Sequence, residues 1–268
     1  MKDPPKYKRP VWPLLIKYCI PFLSIVFYIA PIHAEEIPPL PTPPRNIKGV
    51  FELDLSTQIT TRTVVEETSP GVNFEGDAES TRLMARLATR PWHPVEFYLQ
   101  AGTANLVIDQ FNDYRGDYNF AYGGGASLTL YEYPGPKRFQ VVTRADTLNF
   151  KTTDHVLTTV TVSEIPLIKE DVFVKETIHW TEYTLEGVGI WRSQYWEPYL
   201  GVRFSLLDST DNLSGTLLSR KLSLKEDSNL GFVAGTNLYF DPRENFALNL
   251  EATLIDQLAL KVGLKLWY

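Results

Sequence analysis

Residues 257–268 read Gln257-Leu258-Ala259-Leu260-Lys261-Val262-Gly263-Leu264-Lys265-Leu266-Trp267-Tyr268. Leu258, Leu260, Val262, Leu264, Leu266 and Tyr268 take every second position, and Gln257, Ala259, Lys261, Gly263, Lys265 and Trp267 fill the gaps. Successive side chains of an extended chain point to opposite sides, so a period of two sorts these residues onto an apolar face and a polar one. The stretch is a β-strand that separates two different environments.

The same split recurs upstream. Phe51, Leu53, Leu55, Thr57 and Ile59 alternate with Glu52, Asp54, Ser56 and Gln58, and Phe246, Leu248, Leu250, Ala252 and Leu254 alternate with Ala247, Asn249 and Glu251. Phe120, Tyr122, Gly124, Ala126, Leu128 and Leu130 form another stripe, as do Leu200, Val202, Phe204 and Leu206. After Gly49 helical periodicity is almost absent. Ten strands are predicted, at 49–66, 76–90, 95–108, 117–132, 138–152, 174–191, 198–208, 229–240, 244–255 and 257–268. Eight is the alternative count, with 138–152 and 174–191 the pair most exposed to misassignment.

The connections alternate as well. Trp92-His93-Pro94, Tyr133-Pro134-Gly135-Pro136, Trp196-Glu197-Pro198 and Phe240-Asp241-Pro242 are short, and proline there suits tight turns and cannot donate to a ladder. The intervening links, near 67–75, 109–116, 153–173 and 209–228, are long and polar, apart from the tight Asp256-Gln257. Short turns at one end and long loops at the other characterise transmembrane barrels. Aromatic residues gather at the short-turn ends (Phe51, Trp92, Phe97, Tyr131, Phe139, Trp191, Tyr199, Phe240, Phe246 and Tyr268), where an interfacial girdle is expected.

Residues 1–34 carry Lys2, Lys6, Lys8, Arg9 and Lys17, then the apolar run Tyr18 to Ala30 and the small residue Ala34. This is the layout of a signal peptide, with cleavage expected near Ala34. The run is about 13 residues, short of the ~20 of a spanning helix, and Pro21 interrupts it. Residues 35–48 are proline-rich and read as a periplasmic tether, and 49–268 as the barrel. The whole chain of 268 residues has a net charge of −6; without the signal it carries 21 Lys and Arg against 31 Asp and Glu, a net of −10, which disfavours nucleic-acid binding. The sole cysteine, Cys19, lies in the signal, so the exported chain has no disulfide and no thiolate chemistry.

On these residues the sequence resembles the bacterial outer-membrane β-barrel superfamily, including the small OmpA-like and porin-like barrels. The resemblance covers about 220 residues. Its most specific element is the ending Leu264-Lys265-Leu266-Trp267-Tyr268, similar to the C-terminal aromatic signal read by the outer-membrane assembly machinery, with Leu264, Leu266, Trp267 and Tyr268 as the signal residues. The resemblance implies an all-β, antiparallel, up-and-down barrel in the cell outer membrane, with membrane lipid and that machinery as partners. A soluble sandwich or lipocalin-like barrel is the rival, since alternation alone does not say which face is wet.

With the apolar stripes toward lipid, Glu52, Asp54, Arg82, Arg86, Arg90, Glu96, Arg144, Asp146, Glu182, Glu186, Arg203, Glu251, Lys261 and Lys265 project into the lumen. Buried charges must be paired. Cross-lumen ion pairs are expected where Glu52 and Asp54 meet Arg86, Arg90, Lys261 and Lys265. Ten strands enclose a narrow interior, so a largely filled lumen is expected over a wide pore.

Catalytic signals are sparse. The exported chain has three histidines, His93, His155 and His179. Asp154-His155 on an outer loop is the only catalytic hint, a rim hydrolase, but adjacent residues on a strand point to opposite faces. No His, Cys or carboxylate set has metal-ligand spacing, and Gly123-Gly124-Gly125 inside a strand suggests close approach instead of a phosphate cradle. Arg115-Gly116-Asp117 spells an adhesion tripeptide, although turn chemistry explains it equally. The expectation is a monomeric structural or narrow porin-like barrel without catalysis, cofactor or metal, with a surface adhesin as the other alternative.

Overall fold

The computed structural model describes residues 51–268 except 70–71, 110–113, 134–137, 165–166, 194, 216–218 and 241–244. The expected signal peptide (1–34) and tether (35–48) lie outside the described residues. The strands are β1 (Phe51–Ser69), β2 (Val72–Trp92), β3 (Val95–Ile108), β4 (Tyr114–Tyr133), β5 (Arg138–Glu164), β6 (Leu167–Arg192), β7 (Trp196–Ser214), β8 (Ser219–Glu226), β9 (Leu230–Tyr239), β10 (Phe246–Leu254) and β11 (Leu258–Trp267).

All pairings are antiparallel, and the last strand returns to the first. Asp54 faces Lys265 and Gln58 faces Lys261 across β1 and β11, which closes the sheet into a ring. Closure is what lets a sheet cross a bilayer, because every wall N–H and C=O then finds a neighbour. Near the short-turn end the ring has ten strands, with β7 paired directly to β9, from Trp196 opposite Leu238 to Phe204 opposite Leu230.

The segment 209–228, expected as a loop, is instead the upper part of β7 and the strand β8. β9, β10 and β11 are only 10, 9 and 10 residues long, about one bilayer crossing. Above them β8 bridges the gap: Ser209–Ser214 of β7 pair with Ser219–Leu224, and Val64–Glu67 of β1 pair with Ser223–Glu226. The barrel is therefore ten-stranded at its short-turn end and eight-stranded above. At 153–173, where the sequence also allows a hairpin that extends the fifth and sixth strands, β5 and β6 pair on from Arg138–Arg192 to Glu164–Leu167, with one register shift between Thr161 and Ser163. At 27 and 26 residues they are the longest strands, far beyond the ~9–11 needed to span lipid.

The exterior is a band of exposed apolar side chains. Leu99 is 74% exposed, Leu83 61%, Ile59 59% and Leu200 56%, values that suit a surface facing lipid and not a soluble core. The lower rim is aromatic, with Phe51, Trp92, Tyr131, Trp191, Phe240 and Tyr268 exposed; an upper group, Tyr118, Phe120, Tyr122 and Tyr183, marks the other boundary. Tyr199, expected in the girdle, is buried and faces inward because it shares parity with Arg203. No helix among the described residues is long and apolar enough to cross a membrane, which says nothing of a barrel.

Candidate functional site: the filled lumen

The inward faces form three layers. In the lowest, Glu96 of β3 receives both Arg86 (2.7 Å) and Arg90 (2.6 Å) of the adjoining β2. These arginines were expected against Glu52 and Asp54. Those acids pair with their other expected partners, on β11, Asp54 with Lys261 at 3.5 Å and Glu52 with Lys265 at 4.0 Å. Register explains the exchange: β11 sets Lys265 opposite Asp54 and Lys261 opposite Gln58, leaving two lysines to serve the two β1 acids. Trp267 of the C-terminal signal donates its indole N–H to Glu52 at 2.8 Å, and Leu264 and Tyr268 are exposed on the lipid side.

Arg86 also lies 3.8 Å above the Tyr98 ring. Tyr98 in turn crosses Gly125 of β4, where an added Cβ would stand 2.6 Å from the Tyr98 hydroxyl and collide with the Ala145 carbonyl. The glycine run makes room for this stack. Gly125→Val should therefore destabilise the barrel by about 1–3 kcal/mol, measured by urea unfolding in vesicles, because the wall carbonyl cannot retreat.

The middle layer crosses the lumen. Glu182 of β6 meets Arg82 of β2 at 2.9 Å, Arg203 of the neighbouring β7 at 2.7 Å and Arg62 of β1 at 3.8 Å. In the ten-stranded ring β1 lies five places from β6, directly opposite, so these contacts span the interior. Asp256, in the turn between β10 and β11, approaches both Arg62 and Arg203 at 3.5 Å, and Ser205 accepts from Arg62 at 2.7 Å and donates to Asp256 at 2.9 Å. Glu186 joins through Arg203 (3.6 Å) and Arg144 (3.9 Å), while the Tyr199 hydroxyl donates to Glu251 at 2.6 Å. Asp146 points inward two residues from Arg144, and among the described residues no ion pair reaches it.

The third layer is largely apolar, with Glu176 and Asp211 buried beside it, a departure from the expected charged interior. Leu106, Ile108, Tyr114, Phe150, Ile178, Trp180, Leu207 and Leu224 pack in one buried cluster. Phe150 and Trp180 stack at 5.9 Å, with Arg82 5.7 Å from the Phe150 ring joining this layer to the charges below. The cluster fills the region where the ring narrows to eight strands, and eight strands leave an interior just wide enough for side chains.

Sequence reasoning missed Arg62, Asp256, Ser205 and the lower pair Arg192–Glu197, at 2.5 Å, with Asn237 donating to Glu197 at 2.8 Å. Parity carries Arg62 onto the face of Glu52 and Asp54, and Glu197 onto that of Arg203. Asp256 lies in a turn, where parity gives no signal.

The catalytic hint does not assemble a dyad. Asp154 Oδ1 accepts the His155 backbone N–H and Oδ2 accepts that of Arg115, both at 2.7 Å, so its oxygens serve the main chain. Asp117 is exposed on the outer section. Among the described residues no group of three or more His, Cys, Asp or Glu could hold a metal ion.

Neither protein-family models nor curated proteins match this chain. Solved structures do. The outer-membrane protease OmpT from Escherichia coli superposes with a TM-score of 0.54 at 8% identity, over 83% of this chain and 98% of that one. The translocator domain of the autotransporter NalP from Neisseria meningitidis gives 0.45 at 11% identity, over 83% and 90%. An outer-membrane channel from Pseudomonas putida F1 gives 0.42 at 8% identity, over 87% and 100%. At 8% identity the likeness to OmpT is one of fold alone, a closed antiparallel β-barrel.

Proposed function

We propose that this chain is a closed outer-membrane barrel, a structural wall protein that lifts an eight-stranded section above the bilayer and neither conducts nor catalyses. The observation that carries this reading is Glu182, held at once by arginines from β1, β2 and β7 beneath a buried apolar layer. A wide channel needs an open lumen, whereas here side chains from opposite walls meet. The protein acts as a monomer in contact with membrane lipid, and its last strand is its handle for the assembly machinery.

Vesicles carrying the refolded chain should retain a small entrapped sugar as well as empty vesicles do, read by light scattering after an osmotic step. Swelling at a rate that rises with protein density would overturn the closed lumen. A second reading, contact with another surface, is favoured by the length of β5 and β6 beyond the membrane. Binding to a host matrix that vanishes in Asp117→Glu would support it.

A further inference from the structure

The outward face above the apolar belt is charged unevenly. On β2 and just beyond β3 it exposes Glu75, Asp77, Glu79 and Asp109, on β4 the opposed charges Arg115 and Asp117, and on β5, β6 and β8 Lys151, His155, Lys175, His179 and Lys221. Register gathers the second group: Lys151 lies opposite His179, His155 opposite Lys175, and Lys221 opposite Asn212, which itself faces Thr177 between the two β6 residues. With about 4.8 Å between strands and about 3.4 Å per residue, the field measures roughly 14 by 13 Å.

These cations differ from those of the lumen. Among the described residues no carboxylate pairs with Lys151, Lys175 or Lys221 within ion-pair distance; Glu176 of β6 and Asp211 of the intervening β7 are buried on the opposite face, and the half-buried Asp154 of β5 accepts two backbone N–H groups. Asp208, opposite Thr181, is the acid at the lower margin of the field. Partial burial and the nearby Lys151 and Lys221 hold the His179 imidazole below its ordinary range, so the lysines supply the charge near neutral pH.

Height identifies the partner. Lys151 is two residues beyond Asn149, which faces the exposed Tyr122, and His179 is four beyond the exposed Tyr183. The field therefore begins one step outside the aromatic boundary, at headgroup level, with Leu185 and Leu206 exposed below it for acyl chains. We propose that it seats the headgroup of an outer-leaflet lipid bearing more than one phosphate. A single phosphate does not reach from Lys151 to Lys175, four residues apart along the wall, whereas two phosphates on one lipid do. The proposal rests on the membrane reading of the barrel.

The test uses the folded chain in detergent, titrated with lipid A and with its dephosphorylated form, and bound lipid counted by native mass spectrometry. Wild type should bind lipid A and not the dephosphorylated form. At about 1 kcal/mol per lysine near a charged surface, roughly a factor of five each, Lys151→Gln/Lys175→Gln/Lys221→Gln should bind about 100-fold more weakly. Glu79→Gln should bind like wild type. If the triple variant loses its heat-dependent shift on a gel, Lys151→Gln and Lys221→Gln are compared singly, each expected about five-fold weaker. Unchanged binding in these variants, or equal binding of the dephosphorylated lipid, overturns the proposal. Displacement of lipid A by an equal concentration of inorganic phosphate would make this a simple anion site and also overturn it. Wild type that fails to insert into vesicles would instead defeat the membrane reading.

Discussion

Glu182→Ala should lower the stability of the folded barrel by about 3–5 kcal/mol, because it strands buried guanidinium groups without their shared acid. Arg62, Arg82 and Arg203 have side chains that are 1%, 4% and 7% exposed, so water cannot replace the carboxylate. Asp256 still approaches Arg62 and Arg203, whereas the ion pair of Arg82 is with Glu182. The loss should appear as an earlier urea midpoint in vesicles. A variant within about 0.5 kcal/mol of wild type would mean that the lumen is wet enough to solvate three arginines, and the filled interior would be wrong.

Leu264→Arg should cost about 2–4 kcal/mol, for a different reason: it places a charge on the lipid face near the bilayer midplane. Leu264 is 42% exposed on β11, between the exposed Val262 and the aromatic end of the strand. Asp227→Arg, on an exposed connection above the belt, should change stability by less than about 0.5 kcal/mol. Equal effects of the two arginines would reverse the assignment of faces.

Alternation made the membrane wall legible, since a strand between lipid and lumen repeats every two residues. The inner-face charges were legible for the same reason, from Glu52 on β1 to Lys265 on β11. What was not legible depends on neighbours in space. Whether Arg86 turns to Glu96 or to Asp54 is decided by the β11 register, which leaves Lys261 for Asp54. The segment 209–228 is polar and reads as a loop, yet Leu222 and Leu224 are buried because β8 roofs the three short strands β9 to β11. The same closure sends Leu106, Ile108 and Trp180 inward, into a lumen expected to be charged. Ring size changes with height, and a single strand's sequence does not record it.

The central claim is that this ring meets lipid along its alternating apolar face, and accessibility along β7 tests it most directly. A nitroxide would be attached to single cysteines at Leu200, Val202, Phe204, Leu206 and Asn212 of the chain refolded in vesicles, and its relaxation measured with oxygen and with a water-soluble nickel complex. The first four positions should respond to oxygen and resist nickel, and Asn212, above the belt, should show the reverse. Nickel access at Val202 and Phe204 equal to that at Asn212 would place this face in water and contradict the membrane barrel.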